Sequence, residues 1–429
     1  MLCSHSQLEP DASPVQCLWA VRFTYKEKSV AMALVNMKDL LNHAYDNHYA
    51  VGAFEVVNLD FLRAVIAAAE QARSPVILNV VEPHFDLFDV ELLLPAVVQA
   101  AKRSSVPVAI HMDHCGSLDS VQAAIRLGCN GVMYDGDNAE LPVNIERTRK
   151  AVELAHSCGI PVEGELGHVA GIRDHGDENQ SVQTSANEAR VFVERTGVDF
   201  LAISIGTVHG QGNGKTRLDF TRLARINESV HVPLVIHGGT GLSDQQYHKL
   251  IDQGVAKINY FTALAELTVN QVRENLSHKN AGYRDMVASL HENMTAAVQR
   301  IMQVWRSAGR AAEVMIQCGT WNNIEHVIVY NTTETDPTVI QIMLRKGKQK
   351  LSSIPGVMDV RIGRATDEKS KYRYCWLVRF AHENVIEHYK THPVHIAYAD
   401  SYFRPIATDR ITNDYVILDD LALERELQA

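Results

Sequence analysis

The feature that most constrains this chain is an eightfold alternation of short apolar runs with helical segments. The runs are rich in Val, Ile and Ala without polar alternation, which is typical of parallel strands covered on both faces. Four runs begin with proline, which is tolerated at the first residue of a strand. The eight runs span residues 51–57, 75–81, 107–113, 131–136, 161–167, 200–206, 233–239 and 256–261.

Helical patterns fill the intervals, for example over residues 59–73, 90–103 and 117–127. Eight such β-α units over about 250 residues predict a (β/α)8 TIM barrel. A doubly wound sheet is the alternative, but it usually has fewer strands and a glycine-rich loop after the first one. Neither a GxGxxG nor a GxxxxGK[ST] loop occurs in the sequence, so the barrel is preferred.

A second pattern begins near Trp321. Residues 326–330, 357–363, 374–380 and 414–418 read as strands, and residues 339–353 and 382–398 read as helical. This β-α-β-β-α-β order predicts a ferredoxin-like α+β domain. The predicted units are a disordered leader or misassigned start at 1–31, a barrel at 32–318, the α+β domain at 322–420 and an acidic tail at 421–429.

Charge and cysteine usage exclude several classes of function. The net charge of −10 disfavours binding to nucleic acid or to an anionic membrane surface. No apolar run approaches the roughly 20 residues needed to span a bilayer. The seven cysteines are scattered and never form CxxC, which favours a reduced, cytoplasmic compartment over a disulfide framework.

Three predicted strand ends carry a histidine, and the carboxyl ends of barrel strands are where catalytic groups lie. These histidines are His114, His209 and His237, after runs three, six and seven. One such histidine alone would more often be an ordinary core residue. Three at equivalent strand ends predict a catalytic zinc site with an open fourth position, in which Zn²⁺ acts as a Lewis acid on a bound carbonyl.

Carboxylates accompany these histidines. Asp113 precedes His114 and is a candidate proton-transfer group, with a simple helix cap as the alternative. Asp135 and Glu165, at the ends of runs four and five, could support a histidine ring or bind the metal in an alternate position. Each could equally be a hydrogen-bonded carboxylate that only holds a loop.

Two further segments suit a substrate. The glycine-rich stretch 237–241 and the stretch 259–262 follow runs seven and eight, where TIM barrels commonly bind phosphate. The polar stretch 167–185 lacks apolar periodicity and reads either as an active-site loop that closes over substrate or as an inert surface loop.

At these motifs the sequence resembles the class II fructose- and tagatose-bisphosphate aldolases, over residues 32–272. The resemblance rests on Gly52-Ala-Phe, His111-Met-Asp-His114, Glu163-Gly-Glu-Leu-Gly, Ile205-Gly-Thr-Val-His-Gly, His237-Gly-Gly-Thr-Gly and Asn259 to Thr262. It implies a lyase that cleaves or forms a C–C bond of a ketose phosphate through a metal-stabilised enediolate of dihydroxyacetone phosphate. It implies one Zn²⁺ per chain on the three histidines, allows a monovalent cation, and makes Asp113 the proton donor. The implied substrate-binding residues are Gly210, Gly238, Gly239, Thr240, Asn259, Tyr260, Phe261 and Thr262.

The sequence also departs from the family pattern. Glu55 replaces the usual asparagine after Gly-Ala-Phe, and the loop after run two lacks the usual phosphate-binding serine. Arg173 stands where the loop glutamate is expected, followed by Asp174, and could bind an anionic group. These departures predict a substrate with one phosphate or none. Another zinc-dependent barrel enzyme, such as an isomerase or hydrolase, and a non-catalytic metal-binding scaffold remain as alternatives.

The C-terminal segment resembles the stress-responsive A/B barrel (Dabb) family. The resemblance rests on His326-Val-Ile-Val, Ile354-Pro-Gly-Val and His392-Pro-Val-His395. Such domains pair through their sheets, so the resemblance implies a homo-oligomer. His326 and His395 are expected to be structural.

Overall fold

The computed structural model describes residues 33–136, 139–167, 183–207, 218–278 and 280–417. Among these residues, no helix has both the length and the apolar character needed to cross a membrane. The predicted leader at 1–31, most of the loop predicted at 167–185, and the tail at 421–429 lie outside the described residues.

The first domain is a closed barrel of eight parallel strands, as predicted. The strands follow sequence order, and β8 closes the ring by pairing with β1, where Val51 lies opposite Lys257. The elements are α1 (Met37–Asp46), β1 (Val51–Glu55), α2 (Leu59–Ala72), β2 (Val76–Val81), α3 (Val90–Arg103), β3 (Val108–Cys115), α4 (Leu118–Leu127), β4 (Gly131–Tyr134), α5 (Leu141–His156), β5 (Val162–Leu166), α6 (Ala186–Thr196), β6 (Phe200–Ile203), α7 (Phe220–Val230), β7 (Leu234–Ile236), α8 (Asp244–Asp252) and β8 (Val255–Tyr260). A 3₁₀ turn, Glu82–His84, follows β2, and four helices follow the barrel: α9 (Thr262–Asn275), α10 (Tyr283–Met286), α11 (Leu290–Val304) and α12 (Ala311–Gln317).

Each barrel strand is buried and sends alternate side chains inward and outward. The outward set packs beneath the helices in one large apolar cluster. The inward set near the amino ends of the strands forms a second cluster together with α1, which closes that end of the barrel. The members of this second cluster include Met37, Leu40, Val51, Ala53, Ile77, Ala109, Phe200, Ala202, Val235 and Ala256.

The apolar spacing of residues 32–41 favours a helix from Met32, but α1 begins later in the chain. The helix begins at Met37, because Asn36 caps it by accepting hydrogen bonds from the N–H groups of Lys38 and Asp39. The preceding apolar residue Leu34 is extended and bridges in parallel to Val108 of β3. Apolar residues before a cap can equally form a strand bridge, so periodicity alone misplaces this boundary.

The second domain is a four-stranded antiparallel sheet with helices on one face. Its elements are β9 (Ile324–Thr332), α13 (Pro337–Leu351), β10 (Val357–Arg364), β11 (Tyr374–Phe380), α14 (Val385–Thr391), α15 (Pro393–Tyr398), a π-helical turn (Ala399–Phe403) and β12 (Ala407–Val416). The strand order β10-β11-β9-β12 is the ferredoxin-like order that the sequence predicted. The last strand predicted at 414–418 is present, but its bounds are wrong, because β12 begins at Ala407 and ends at Val416. Most of that strand is exposed and polar, so it lacks the apolar alternation that identifies a strand in a sequence.

The second domain docks against the barrel near the amino ends of its strands. Gln122, in the middle of α4, donates a hydrogen bond to the Ser353 carbonyl oxygen. Further contacts lie just after the carboxyl ends of α4 and α5, where Gly128 faces Met358 and Gly159 lies against Asn384. In a β/α barrel these helix ends lie beside the amino ends of the strands. The second domain therefore lies away from the carboxyl ends of the barrel strands.

A buried carboxylate ties α1 to the barrel wall. Asp199, before β6, accepts hydrogen bonds from the Val162 N–H and the His156 ring, each at 2.8 Å, and an ion pair from Lys38 Nζ at 2.8 Å. Burial raises the pKa of Asp199, but the hydrogen bonds from His156, Lys38 and Val162 outweigh it and lower the pKa below its usual value.

We expect Asp199→Asn to lower the free energy of unfolding by about 1–3 kcal/mol at neutral pH, since a buried group with charged partners is lost. Because the folded-state pKa is depressed, this contribution is fully present above the unfolded pKa of about 3.9 and is lost as the pH falls through the folded value. Chemical denaturation at a series of pH values measures it. The exposed Asp252→Asn serves as the matched control, and equal losses in the two variants would contradict the role of Asp199.

Candidate active site

The sequence-predicted pair Asp113 and His114 lies at the carboxyl end of β3, and both side chains are buried in the barrel mouth. Consecutive strand residues normally point to opposite faces. His114 has a φ of 54°, in the left-handed region, and the pairing of β3 with β4 shifts register between Met112 and Cys115. This local distortion lets two successive side chains serve the same site.

His237, which follows β7, is held from inside the barrel. Its Nε2 lies 2.9 Å from Glu163 Oε1, and Glu163 Oε2 accepts from Lys257 Nζ at 2.7 Å. Burial raises the pKa of Glu163, but the Lys257 ammonium and the His237 hydrogen bond outweigh it and lower the pKa to about 2. The carboxylate therefore stays ionised and fixes the ring so that Nδ1 faces Glu165, 3.7 Å away.

Asp113 is oriented by two asparagine amides. Asn79 Nδ2 and Asn259 Nδ2 donate to Asp113 Oδ2 at 2.9 and 2.7 Å, while Asp113 Oδ1 has no hydrogen-bond partner among the described residues. Burial raises the pKa of Asp113, but the charges of His114 and Lys257 outweigh it and hold the pKa well below its usual range. The group is thus an ionised carboxylate with one oxygen available to accept a proton.

His114 lies in a strongly negative environment. Its Nδ1 is 3.1 Å from Asp135 Oδ2, and Glu165 and Asp113 are close by. Burial lowers the pKa of His114, but Asp113, the Asp135 hydrogen bond and Glu165 raise it to about 10. Such a field attracts either a proton or a metal cation.

Two overlapping groups of side chains could hold that cation. Ligand atoms of Asp113, His114 and His237 all lie within 4.8 Å of one another, and so do those of His114, Asp135 and Glu165. Imidazole nitrogen and carboxylate oxygen suit Zn²⁺, and its ligands stand about 3.4 Å apart in tetrahedral geometry. The donor set therefore fits zinc after a small inward adjustment. His209, the third predicted ligand, lies outside the described residues, as do Gly210, Arg173 and Asp174.

The predicted phosphate-binding stretches meet at the same mouth. Gly238 and Gly241 adopt positive φ, and Gly239 accepts a hydrogen bond from the Tyr247 hydroxyl group. Helix α8 is closed by a capping box at Ser243, whereas α9 begins after Phe261 without a side-chain cap. The first N–H groups of α9, beginning at Thr262, are therefore the ones suited to an anion.

The side chains of strand eight do not all face the substrate space. Tyr260 packs its ring against Phe54 and Trp305, at centroid distances of 6.0 and 5.6 Å. The Asn259 amide donates a hydrogen bond to Asp113, and the Phe261 ring lies against the His84 ring at a centroid distance of 5.5 Å. Tyr260 therefore offers its backbone rather than its hydroxyl group, and Asn259 acts as a positioning residue.

A pair formed by a buried carboxyl group and a partly exposed histidine lines the β1–β2 side of the mouth. His84 Nδ1 lies 3.4 Å from Glu55 Oε2, and Glu55 is 8% exposed. Burial raises the pKa of Glu55 despite the opposing effect of His84, and the neighbouring Glu55 raises the pKa of His84. Sequence comparison noted Glu55 as a departure, but its partnership with His84 becomes visible only in the fold.

Sequence reasoning missed the interior residues that hold the predicted ones. Asn79 bridges His111 and Asp113, since its Oδ1 lies 2.9 Å from His111 Nδ1 while its Nδ2 donates to Asp113. Lys257 contacts Glu163 from β8. The pairing of β7 with β8 is irregular there, since Leu234 pairs with Val255 but the next residue, Val235, pairs with Lys257. The sequence signal that could have identified these residues is a polar side chain inside an otherwise apolar run, as at Asn79 and Lys257.

A closed eightfold barrel with histidines and ionised carboxylates gathered at one mouth, in positions that could hold a metal ion, is typical of a barrel enzyme. Residues 35–310 match the family model for class-II fructose-bisphosphate aldolase, and residues 324–417 match the stress responsive A/B barrel domain. The chain therefore belongs to the class II fructose-bisphosphate aldolase family, with a fused Dabb domain.

Individual relatives agree with this assignment. A fructose-bisphosphate aldolase of Thermus caldophilus is 37% identical over 305 residues, covering 65% of this chain and 100% of the relative. A sulfofructosephosphate aldolase of Alkalicoccus urumqiensis is 34% identical over 280 residues, covering 65% and 97%. The crystal structure of the YdjI aldolase from Escherichia coli K12 matches with a TM-score of 0.59 at 33% identity, covering 65% and 99%. These similarities support an aldolase-type lyase.

We expect Lys257→Met to lower the free energy of unfolding by about 3–5 kcal/mol, because it leaves Glu163 as a buried charge without its ammonium partner. The double variant Lys257→Met with Glu163→Gln removes both charges and should recover part of that loss. Chemical denaturation of both variants measures the effect. A double variant no more stable than the single one would contradict the buried ion pair as the cause.

Proposed function

We propose that this protein is a zinc-dependent aldolase-type lyase acting on a ketose phosphate with a dihydroxyacetone phosphate-like donor half. The observation that carries the proposal is the convergence of Asp113, His114 and His237 at the barrel mouth. His114 and His237, together with His209, would hold the metal, and one Zn²⁺ per chain would supply a Lewis acid that polarises the donor carbonyl.

The protein's own groups position and move the proton. Asp135 and Glu163 each bind one nitrogen of a ligand histidine, which fixes ring orientation. In cleavage, Asp113 Oδ1 takes the proton of the substrate hydroxyl beside the breaking C–C bond. The bonding electron pair then passes to the donor half and the hydroxyl carbon becomes the aldehyde carbonyl. In synthesis, Asp113 returns the same proton.

The substrate phosphate is assigned to the β7–β8 side of the mouth. The Gly238–Thr240 backbone, Gly210 and the uncapped start of α9 after Asn259, Tyr260 and Phe261 would cradle it. Next to this cradle, at the ends of β1 and β2, Glu55 is buried, and Glu82 accepts hydrogen bonds from the Gly116 N–H and the Ser120 hydroxyl group. Acidic groups there disfavour a second phosphate, so a substrate with one phosphate is proposed.

Sequence similarity does not distinguish a substrate with two phosphates from one with a single phosphate. The relatives named for fructose bisphosphate and for sulfofructose phosphate match this chain at 37% and 34% identity, which are nearly equal. The second candidate function is a zinc-dependent isomerase or hydrolase on the same site. The Glu55–His84 pair favours it, because that pair would add an acid–base couple beside the proposed metal ligands.

The decisive measurement combines metal content with two chemical readouts. We expect about one zinc per chain by elemental analysis, chelator-sensitive exchange of the carbon-bound proton of dihydroxyacetone phosphate in deuterated water, and release of that triose phosphate from a ketose 1-phosphate panel. Zinc without exchange or cleavage would favour the isomerase or hydrolase, and absence of zinc would contradict the metal site.

The role of Asp113 is tested in the same assays. Asp113→Ala should keep the zinc and lose about 10²–10⁴-fold in cleavage rate, the usual contribution of general acid–base catalysis. The exposed Asp252→Ala is the matched control and should leave the rate unchanged. Unaltered cleavage in Asp113→Ala would remove Asp113 from the proposal.

We also propose that the chain works as a homo-oligomer in a reducing, cytoplasmic compartment. Five described cysteines are thiols, and four of them are buried. The sheet of the second domain carries its helices on one face, while the other face presents Val327 and Val329 beside Ile411, which is 44% exposed. An uncovered apolar sheet face is suited to pairing with a second copy.

Self-association through this face predicts that Ile411→Asp lowers the molar mass in solution, because it would bury an unpaired carboxylate in the interface. Light scattering after size exclusion measures the mass. Ile342→Asp, on α13 and 47% exposed, is the matched control. Equal masses for both variants and the wild type would contradict pairing through this sheet.

A further inference from the structure

The second domain contains a cavity of about 180 Å³ between its sheet and its helical layer. Ile328 and Trp376 line it from β9 and β11, and Leu351, Tyr398 and Phe403 line it from the helices. Trp376, Leu351 and Tyr398 are each less than 5% exposed, so these walls belong to the packed interior of the domain.

The space lies next to tight packing rather than in a loosely packed region. At Gly347 of α13, an added Cβ would come within 2.6 Å of both the Trp376 and Tyr398 rings. Helix α13 and the sheet are therefore in close contact at Gly347, and the cavity lies beyond that contact. A cavity of about 150 Å³ lined by apolar side chains holds one benzene molecule, so this one accommodates a single ring with a small substituent.

The lining also carries an excess of positive charge. Lys390, Arg404 and Arg410 line the cavity, and none of its lining residues is acidic. Arg404 forms an ion pair with Asp400, and Lys390 Nζ lies 3.6 Å from Asp414 Oδ2.

Arg410 is differently placed. Its guanidinium donates to the Ala407 carbonyl oxygen at 3.2 Å and, within the described part of the chain, lies within 4.0 Å of no carboxylate. Asp414 is already engaged by His326 Nδ1 at 2.6 Å. One lining cation is thus left without a carboxylate partner beside an apolar, aromatic space.

The two histidines that the sequence singled out frame the same space. His326 is 4% exposed, and its ring meets Tyr389 at a centroid distance of 5.6 Å. His395 lies against the other side of Tyr389 at 4.4 Å, and its Nδ1 is 3.3 Å from the Lys390 carbonyl oxygen. Both histidines therefore form part of the cavity wall. The sequence analysis expected only a structural role for them.

We propose that this cavity binds a compact organic anion, namely a carboxylate whose body is one ring or a branched chain of similar size. The body lies among Trp376, Tyr398 and Phe403, and the carboxylate pairs with Arg410. Arginine matches a carboxylate with two parallel hydrogen bonds, and its charge is permanent. The site is independent of the barrel chemistry proposed above, because the domain docks at the opposite end of the barrel.

The test uses the full chain and benzoate as the probe, with binding followed by calorimetry and ligand-detected magnetic resonance. We expect saturable binding of benzoate, and at least about tenfold weaker binding of benzyl alcohol, which has the ring without the charge. Inorganic phosphate should not displace benzoate, since it lacks the apolar body. Absence of benzoate binding, or displacement by phosphate, would overturn the proposal.

Variants locate the site. Arg410→Gln should weaken benzoate binding at least about tenfold, while Arg364→Gln, an exposed arginine on β10 that does not line the cavity, should leave it unchanged. Ile328→Phe fills the space and should abolish binding, and thermal unfolding checks that the variants remain folded. Equal affinity in wild type, Arg410→Gln and Ile328→Phe would place the benzoate elsewhere and refute the proposal.

Discussion

The catalytic mouth depends on one buried ion pair inside the barrel, between Lys257 of β8 and Glu163 of β5. Both groups are fully buried, and each would be strongly unfavourable there without the other. The pair crosses the barrel interior from β8 to β5. The second Glu163 oxygen remains hydrogen-bonded to the His237 ring. A purely apolar core could be equally stable, but the ion pair also orients a histidine ring.

The sequence was sufficient for the architecture and for the residues exposed at strand ends. Eight apolar runs gave the eight strands, and motifs at their ends pointed to Asp113, His114 and His237, which the fold brings together. The sequence did not predict the interior residues that hold these side chains in place. Asn79, His111 and Lys257 meet through the closure of the barrel and an irregular pairing of β7 with β8, which no local pattern encodes. The last strand was placed too late for a related reason, since exposed polar edge strands carry little periodic signal.

The two domains divide the molecule into two chemically different ends. The barrel mouth concentrates carboxylates around histidines, which suits a cation, whereas the cavity of the second domain has cations around aromatic rings, which suits an anion. Contacts along α4 and just after α4 and α5 join the domains on the side of the barrel closed by α1. Neither site lends a residue to the other, so each can be altered by mutation while the other is monitored.

The charge distribution within the mouth also limits how a substrate can lie. Asp113, Asp135 and Glu165 surround the metal-binding side chains, and Glu55 extends the negative region toward β1 and β2. The buried cation Lys257 is already neutralised by Glu163 and cannot offset them at the surface. Among the described residues, an anionic group therefore finds a favourable position where backbone N–H groups are open, at the uncapped start of α9. Under the proposed function, a sugar phosphate held there would extend its carbonyl and hydroxyl groups back toward Asp113, so the same asymmetry of charge would set both the anchor and the orientation of the reacting carbons.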